Sequence, residues 1–133
     1  MPQFRIDLSD HRFLKDLKLA TKRHPSVKDD ISDTFSALEN DPTSGNLGRW
    51  IPSLGAEIRK IRVGVVKQKL SPRKAYRLIY LVERDASLIT PLFFHYKPDI
   101  ELVPEQEIIK ALKDLTSRRA ATVDISVRPD LLQ

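Results

Sequence analysis

A chain of 133 residues is long enough for one domain with a hydrophobic core and too short for two. Its hydrophobic (41%) and charged (31%) fractions are typical of a soluble globular protein, and the absence of cysteine excludes disulfides, iron–sulfur clusters and Cys-ligated zinc. The net charge of +5 favours a polyanionic or acidic partner. With no long apolar run and no signal-peptide pattern, we expect a cytoplasmic protein without a membrane partner.

The N-terminal third reads as a strand followed by two helices. The stretch QFRIDLS alternates apolar and polar residues, which predicts a strand with one buried face. Ser9 or Asp10 can cap a first helix that runs to about Arg23. Ser26 and Asp29 are spaced as a capping box, which predicts the start of a second helix.

The middle of the chain reads as an irregular connection, LGRWIPSLG, followed by three strands. We place these strands at about 57–66, 74–84 and 88–97, where β-branched and aromatic residues are enriched. Pro91 interrupts the last of them and predicts a bulge or an edge position, because proline cannot donate to the ladder.

Pro104 is well suited to the first position of a third helix. The order β-α-α-β-β-β-α predicts an α+β fold, a small and mainly antiparallel sheet with two N-terminal helices and a C-terminal helix packed on it. We expect one domain over residues 1–117 and a tail over residues 118–133, which contains a possible short strand, TVDISV.

The positive charge is concentrated in one predicted hairpin. Eight Lys and Arg residues, and no Asp or Glu, lie between Arg59 and Arg77. If Arg62 pairs across the hairpin with Arg77, the turn centres between Lys69 and Leu70. Like charges directly opposite each other destabilise a sheet, so this pairing suggests that a phosphate lies between them. An ion pair between Arg77 and a carboxylate is the alternative.

Several segments together resemble a known family. FLKDLKLATKRHPSVKDDI, LENDP, RKIRV, KAYRLIYLV and LFFHYKPDIELVPEQEI are similar to the RelE/ParE toxin superfamily of bacterial toxin–antitoxin systems, and closest in character to its RelE/HigB-like branch. The resemblance runs from about Arg12 to Leu115. The most specific element is the combination of KIRV with YRLIY.

The resemblance implies a RelE-like fold and a ribonuclease that needs no metal and no cofactor. Such an enzyme cuts messenger RNA in the ribosomal A site, where the ribose 2′-hydroxyl attacks the neighbouring phosphate. The implied catalytic residues are Lys60, Arg62, Arg77, His95 and Tyr96. We expect the remaining basic residues to contact RNA and the ribosome: Lys67, Lys69, Arg73, Lys74 and Lys97.

Physical chemistry supports these roles. Guanidinium groups can stabilise the extra negative charge of a pentavalent phosphorane, and His95 has an ordinary pKa near neutrality. Lys60 is an alternative base, and the Tyr96 ring can stack on a nucleobase. The hairpin loop departs from the glycine-rich pattern of the family, since Ala75 replaces a glycine.

Besides messenger RNA and the ribosome, the resemblance implies a cognate antitoxin. We expect it to present an acidic or amphipathic segment that covers the helix-free face of the sheet or displaces the third helix. Two other functions stay open. A ParE-like member would inhibit DNA gyrase, and a catalytically decayed toxin would only bind its antitoxin.

Overall fold

The computed structural model describes residues 3–44, 46–51, 56–99 and 103–121, and its first hundred residues form one unit around a five-stranded sheet. The elements of this unit are β1 (Arg5–Ile6), α1 (His11–Arg23), α2 (Val27–Asn40), β2 (Asn46–Ile51), β3 (Ala56–Val63), β4 (Tyr76–Glu83) and β5 (Leu88–Tyr96). The strands lie in the order β1-β5-β4-β3-β2. All neighbours are antiparallel except β1, which runs parallel to β5.

Helices α1 and α2 supply one layer of the core of this unit. The stripe of α2 buries Val27, Ile31 and Leu38, and α1 buries Phe13. These residues cluster with alternate residues of the strands, among them Val63, Tyr76, Leu78, Tyr80, Val82 and Phe94. Because successive side chains of a strand point to opposite faces, the residues between them lie on the second face of the sheet.

The two helix starts differ in their caps. The Asp10 carboxylate accepts a hydrogen bond from the Arg12 N–H at 2.9 Å, which caps α1 as predicted. The predicted capping box of α2 is wrong. Ser26 has helical backbone angles (φ −73°, ψ −7°), and its buried hydroxyl has no hydrogen-bond partner among the described residues.

Pro91 lies at an irregularity between β4 and β5. Ile79 pairs with Phe93, whereas the next residue, Tyr80, pairs with Pro91, so that Leu92 is the extra residue of a bulge. Strand β1 pairs only with Leu88 and Ile89, so Pro91 also lies beyond the end of β1. The bulge predicted from the sequence is confirmed.

The α+β class, the mainly antiparallel sheet and the three predicted helices are confirmed, but one strand was missed. The segment predicted as an irregular connection contains β2, which pairs with β3 through a register shift between Leu47 and Arg49. Two glycines lie beside or within this strand, at positions 45 and 48, and Pro52 follows it, so its local preference for strand is weak. Pairing with β3 therefore stabilises this strand, although its local sequence favours a strand only weakly.

The second unit, residues 101–133, contains helix α3 (Glu105–Ala121). Its buried side chains recur at helical spacing, at Ile108, Ala111, Leu112 and Leu115. The short strand predicted in the tail lies outside the described residues. Nowhere in the described ranges is a helix both long enough and apolar enough to cross a membrane.

Candidate functional site

A row of three basic side chains crosses the second face of the sheet. The register places Arg62 of β3 opposite Arg77 of β4, and Arg77 opposite His95 of β5. The first pairing is the one that the sequence analysis considered as a hypothesis. Lys60, two residues before Arg62, lies on the same face opposite Ile79. The strand register therefore brings together four of the five predicted catalytic residues.

Arg77 is buried and makes its contacts with backbone carbonyls. Its Nη1 donates to Pro72 O at 2.8 Å and to Tyr76 O at 3.0 Å, and its Nη2 donates to Arg73 O at 2.7 Å. Only 7% of the residue is exposed. Burial and, to a smaller extent, the charge of Arg62 lower the pKa of Arg77 below its ordinary value. No carboxylate of the described chain pairs with it, so the predicted ion-pair alternative is not observed there.

His95 is buried beside these cations and is uncharged at neutral pH. Burial, then the charges of Arg77 and Lys60, lower the pKa of His95 from 6.5 to about 4. Neither ring nitrogen has a hydrogen-bond partner within the described chain. A neutral imidazole can accept a proton and cannot donate one as an imidazolium, but a pKa of about 4 makes it a weak base.

Between β3 and β4, the hairpin loop (residues 64–75) is folded tightly. Val65 and Leu70 exchange backbone hydrogen bonds of 3.0 and 3.1 Å around a short 3₁₀ turn, and Lys69 takes a left-handed conformation (φ 56°). A Cβ atom on Gly64 would lie 2.8 Å from Leu70 O and 3.1 Å from two atoms of Pro72. The loop therefore needs glycine at position 64.

The loop presents four of the predicted RNA-contacting cations to solvent. Lys67, Lys69, Arg73 and Lys74 are all exposed. The carbonyl of Arg73 is held by Arg77, and Lys67 makes only an exposed ion pair with Asp29 at 3.8 Å. An exposed ion pair of this kind contributes little to the stability of the fold, and it leaves the Lys67 ammonium group available to another anion.

The fifth predicted RNA contact, Lys97, follows the end of β5. Its backbone N–H donates to Ala75 O at 2.8 Å, which ties this residue to the end of the loop. Its side chain is partly buried.

Tyr96, by contrast, points to the helix side of the sheet. Its ring lies 5.2 Å from that of Tyr76 and 5.4 Å from that of His24, and the Arg23 guanidinium lies 4.6 Å from its centroid. Tyr96 therefore lies on the face opposite to Arg77, and its predicted stacking on a nucleobase stays a prediction. Successive side chains of a strand point to opposite faces, so the sequence already indicated that Tyr96 and its neighbour His95 lie on different faces of the sheet.

The sequence interpretation missed a polar and aromatic cluster on that helix side. His24 Nδ1 is 2.9 Å from the Tyr76 hydroxyl, and Arg23 pairs with Asp99 at 2.6 Å. His24 was predictable as a helix-end residue, but its partner is 52 positions away and no local pattern indicates it. Among the residues that the structure describes, no group of three or more His, Cys, Asp or Glu could hold a metal ion.

Comparison with known proteins gives one finding. Residues 9–93, more than half of the chain, match the family model described as ParE toxin of type II toxin-antitoxin system, parDE. Neither the curated proteins nor the solved structures give a match. The matched range contains α1, α2, the hairpin and most of β5.

Proposed function

The chain belongs to the ParE toxin family of type II toxin–antitoxin systems, and from this premise we propose that it stops translation by cleaving messenger RNA without a metal. Membership of this family implies a cognate antitoxin. The finer assignment, RNA cleavage on the ribosome, depends on the charge arrangement of the second sheet face.

One observation carries the proposal: neighbouring cations share this face without an acidic partner. Arg62 and Arg77 are directly opposite each other, and Lys60 lies two residues along the strand. Within the described chain, none of the three forms an ion pair with a carboxylate. Facing cations repel, and burial makes the repulsion worse, so an anion at this position lowers the energy of the arrangement. A phosphodiester has the required charge.

The chemistry that fits these groups is attack by a ribose 2′-hydroxyl on the adjacent phosphorus. The neutral His95 accepts the hydroxyl proton while the 2′-oxygen forms its bond to phosphorus. The bond to the 5′-oxygen then breaks, and the Lys60 ammonium supplies a proton to that oxygen. Arg62, which is exposed, is the residue best placed to stabilise the phosphorane charge.

In this proposal Arg77 does not stabilise the phosphorane directly, although the sequence analysis expected that role. Three of its five N–H donors are already used on carbonyls, so it adds positive charge and positions the loop. Only 7% of His95 is exposed. The groups that cover its ring must therefore move before RNA can reach the imidazole.

Inhibition of DNA gyrase is the second candidate. The burial of His95 and the placement of Tyr96 on the other face favour it, because a toxin that acts by binding needs no acid–base pair. The matched family description names ParE, which also favours this candidate.

Two assays on the same purified toxin distinguish the candidates. Translated transcripts are incubated with wild type, Arg62→Ala, His95→Gln and, as a control, Lys28→Ala, and their 5′ ends are mapped by primer extension. We expect in-frame cleavage for wild type and the control, and a loss of two to three orders of magnitude in rate for Arg62→Ala. DNA supercoiling by gyrase should be unaffected. Inhibited supercoiling with intact transcripts would establish the second candidate, and no effect in either assay would indicate a decayed toxin.

A further inference from the structure

A pocket opens beside α1 at the end of β5 that lies beyond the short strand β1. Three aromatic and three charged residues contribute to its lining: Tyr76, Phe94, Tyr96, Asp16, Arg23 and Asp99. Its volume is about 200 Å³. Sites for drug-sized molecules have volumes of roughly 300–1,000 Å³, so this pocket suits a single ring system.

The Asp16 carboxylate, which lines this pocket, has acceptor capacity left. Its Oδ2 accepts the Phe94 N–H at 2.9 Å, and within the described chain Oδ1 makes no hydrogen bond. Burial raises the pKa of Asp16 above its ordinary value, because water solvates the carboxylate incompletely. A partly buried acceptor without a partner costs free energy. A ligand that donates an N–H to Oδ1 would recover that free energy.

Aromatic rings form the walls of the pocket. The rings of Tyr76 and Phe94 stack at 4.7 Å, and the ring of Tyr96 lies 5.2 Å from that of Tyr76. Tyr76 and Phe94 are buried, which holds these walls in place. The Arg23 guanidinium lies over Tyr96 and pairs with Asp99 at 2.6 Å, so one of the two carboxylates is already neutralised. Flat apolar walls beside one open carboxylate suit a planar ring that carries N–H donors.

We propose that this pocket binds a nucleobase, and that guanine matches it best. Guanine has two adjacent N–H donors, at N1 and N2 of its Watson–Crick edge, and an ionised carboxylate is purely an acceptor. Asp16 accepts these N–H groups while an aromatic wall packs against the ring. A free nucleoside and a base within an RNA strand present the same chemistry.

The pocket adjoins the proposed catalytic face, because His95 also contributes to its lining. A base of an RNA strand bound in the pocket would lie next to the residue that the proposed chemistry uses to accept a proton. In this form the inference rests on the proposed function and adds a base subsite to it. A free nucleoside can bind whether or not the chain cleaves RNA.

Charged and aliphatic ligands fit the pocket less well than a neutral ring. An organic cation would be repelled by Arg23 and by Lys15, whose charge acts on Asp16. An anion would be repelled by the carboxylates of Asp16 and Asp99. An aliphatic side chain would leave Asp16 Oδ1 without a donor. A neutral ring with N–H donors avoids all three costs.

The test titrates the full-length protein with nucleosides and follows the backbone amide of Phe94 by NMR. The ligands are guanosine, inosine, which lacks the N2 amino group, and 1-methylguanosine, which lacks the N1 hydrogen. Asp16→Asn keeps a carbonyl for the Phe94 N–H but replaces an acceptor by a donor. Leu19→Trp places a bulky side chain at the exposed rim of the pocket. Asp33→Asn, which removes an exposed carboxylate of α2, is the control.

We expect guanosine to bind wild type and the control equally, and inosine and 1-methylguanosine to bind at least about tenfold more weakly. Asp16→Asn and Leu19→Trp should each weaken guanosine binding by at least about tenfold. Thermal unfolding of each variant shows whether it is folded, and the nucleoside series on wild type does not depend on any variant. Equal affinity for guanosine and 1-methylguanosine, or unchanged affinity in Asp16→Asn, would overturn the proposal. So would the absence of guanosine binding to wild type.

A second titration distinguishes the two sources of the base. A single-stranded oligouridine with one central guanine is compared with the all-uridine oligomer, on wild type and on Asp16→Asn. Tighter binding of the guanine oligomer that is lost in Asp16→Asn assigns the pocket to RNA. Guanosine binding with equal affinity for both oligomers assigns it to a free nucleoside. Transcript cleavage is measured separately: nucleoside binding without cleavage contradicts the nuclease assignment alone, and cleavage without nucleoside binding contradicts this inference alone.

Discussion

Arg77 makes three hydrogen bonds to backbone carbonyls while it lies opposite a second arginine. Each carbonyl belongs to the loop or to its junction with β4, at Pro72, Arg73 and Tyr76. A planar guanidinium can reach all three at once, whereas the ammonium of lysine is a point charge on a flexible stem. The side chain therefore stabilises the loop through its shape as well as its charge.

The first prediction tests this role with Arg77→Lys, which keeps the positive charge but loses the planar guanidinium and its several N–H donors. We expect a loss of about 2 kcal/mol in the free energy of unfolding, measured by chemical denaturation, and faster hydrogen exchange at Ala75. Arg62→Lys is the matched control, because its side chain is exposed, and it should change stability by less than about 0.5 kcal/mol. An unchanged free energy of unfolding in Arg77→Lys would show that the positive charge alone stabilises the loop.

The second prediction concerns His95, whose folded pKa of about 4 is lower than the 6.5 of an unperturbed histidine. The unfolded chain binds a proton in this range that the folded chain does not. Stability from this group is therefore complete above pH 6.5 and is lost as the pH falls towards 4, by about 3 kcal/mol at most. His95→Leu should remove this part of the pH dependence, as seen in unfolding curves between pH 7 and 4.

A histidine replaced elsewhere on the surface, His11→Gln, is the control for that experiment. Direct titration of the His95 ring by NMR gives an independent reading. A midpoint near 6.5 would contradict the expected profile.

At the scale of elements, the β3–β4 hairpin depends on close backbone contacts at both ends of its loop. Gly64 faces the carbonyl of Leu70 and the ring of Pro72, and Arg77 holds the other end. The loop cations are thus attached to an ordered backbone. Such order lowers the entropy cost of binding a polyanion.

The third prediction is that Gly64→Ala shifts this loop. The new methyl group would lie 2.8 Å from a backbone oxygen, so the loop must move, and we expect a loss of about 1–3 kcal/mol in the free energy of unfolding. Ser71→Ala, an exposed change in the same loop, is the control. Unchanged stability together with an unchanged exchange rate at Leu70 would mean that the loop is not tightly held.

At the scale of the whole molecule, the net charge of +5 is unevenly distributed. The hairpin between Arg59 and Arg77 has eight cations and no acid, and α1 has five cations and one acid. The Arg59 side chain belongs to neither exposed surface, because it pairs with Glu57 at 2.7 Å. The chain thus presents one cationic surface on the loop and another on α1.

The fourth prediction tests the loop as a polyanion contact through its salt dependence. Affinity for a single-stranded RNA oligomer should fall with ionic strength, because each phosphate contact releases counterions. Replacing Lys67, Lys69 and Lys74 by Gln should reduce the slope of log affinity against log salt by about 2. The same change at Lys28, Lys110 and Lys113 should leave the slope unaltered. Equal slopes in all three proteins would exclude the loop from the contact.

The sequence by itself predicted the helices and the bulge at Pro91, and it offered the register of the hairpin as a hypothesis. Each of these depends on residues that are near each other in the chain: the helical spacing in α2, the loop length that pairs Arg62 with Arg77, and the missing N–H of a proline. Local chemistry is enough to fix features of this kind.

Only the tertiary structure decided the partners of the candidate site. The existence of β2 depends on pairing with β3, and the neutral state of His95 depends on burial by the fold and on two cations of other strands. The guanidinium of Arg77 donates hydrogen bonds to three backbone carbonyls, whereas the sequence suggested a phosphate as its partner. Burial and hydrogen-bond partners are set by the packing of distant segments, and a local pattern carries no information about which segments those are.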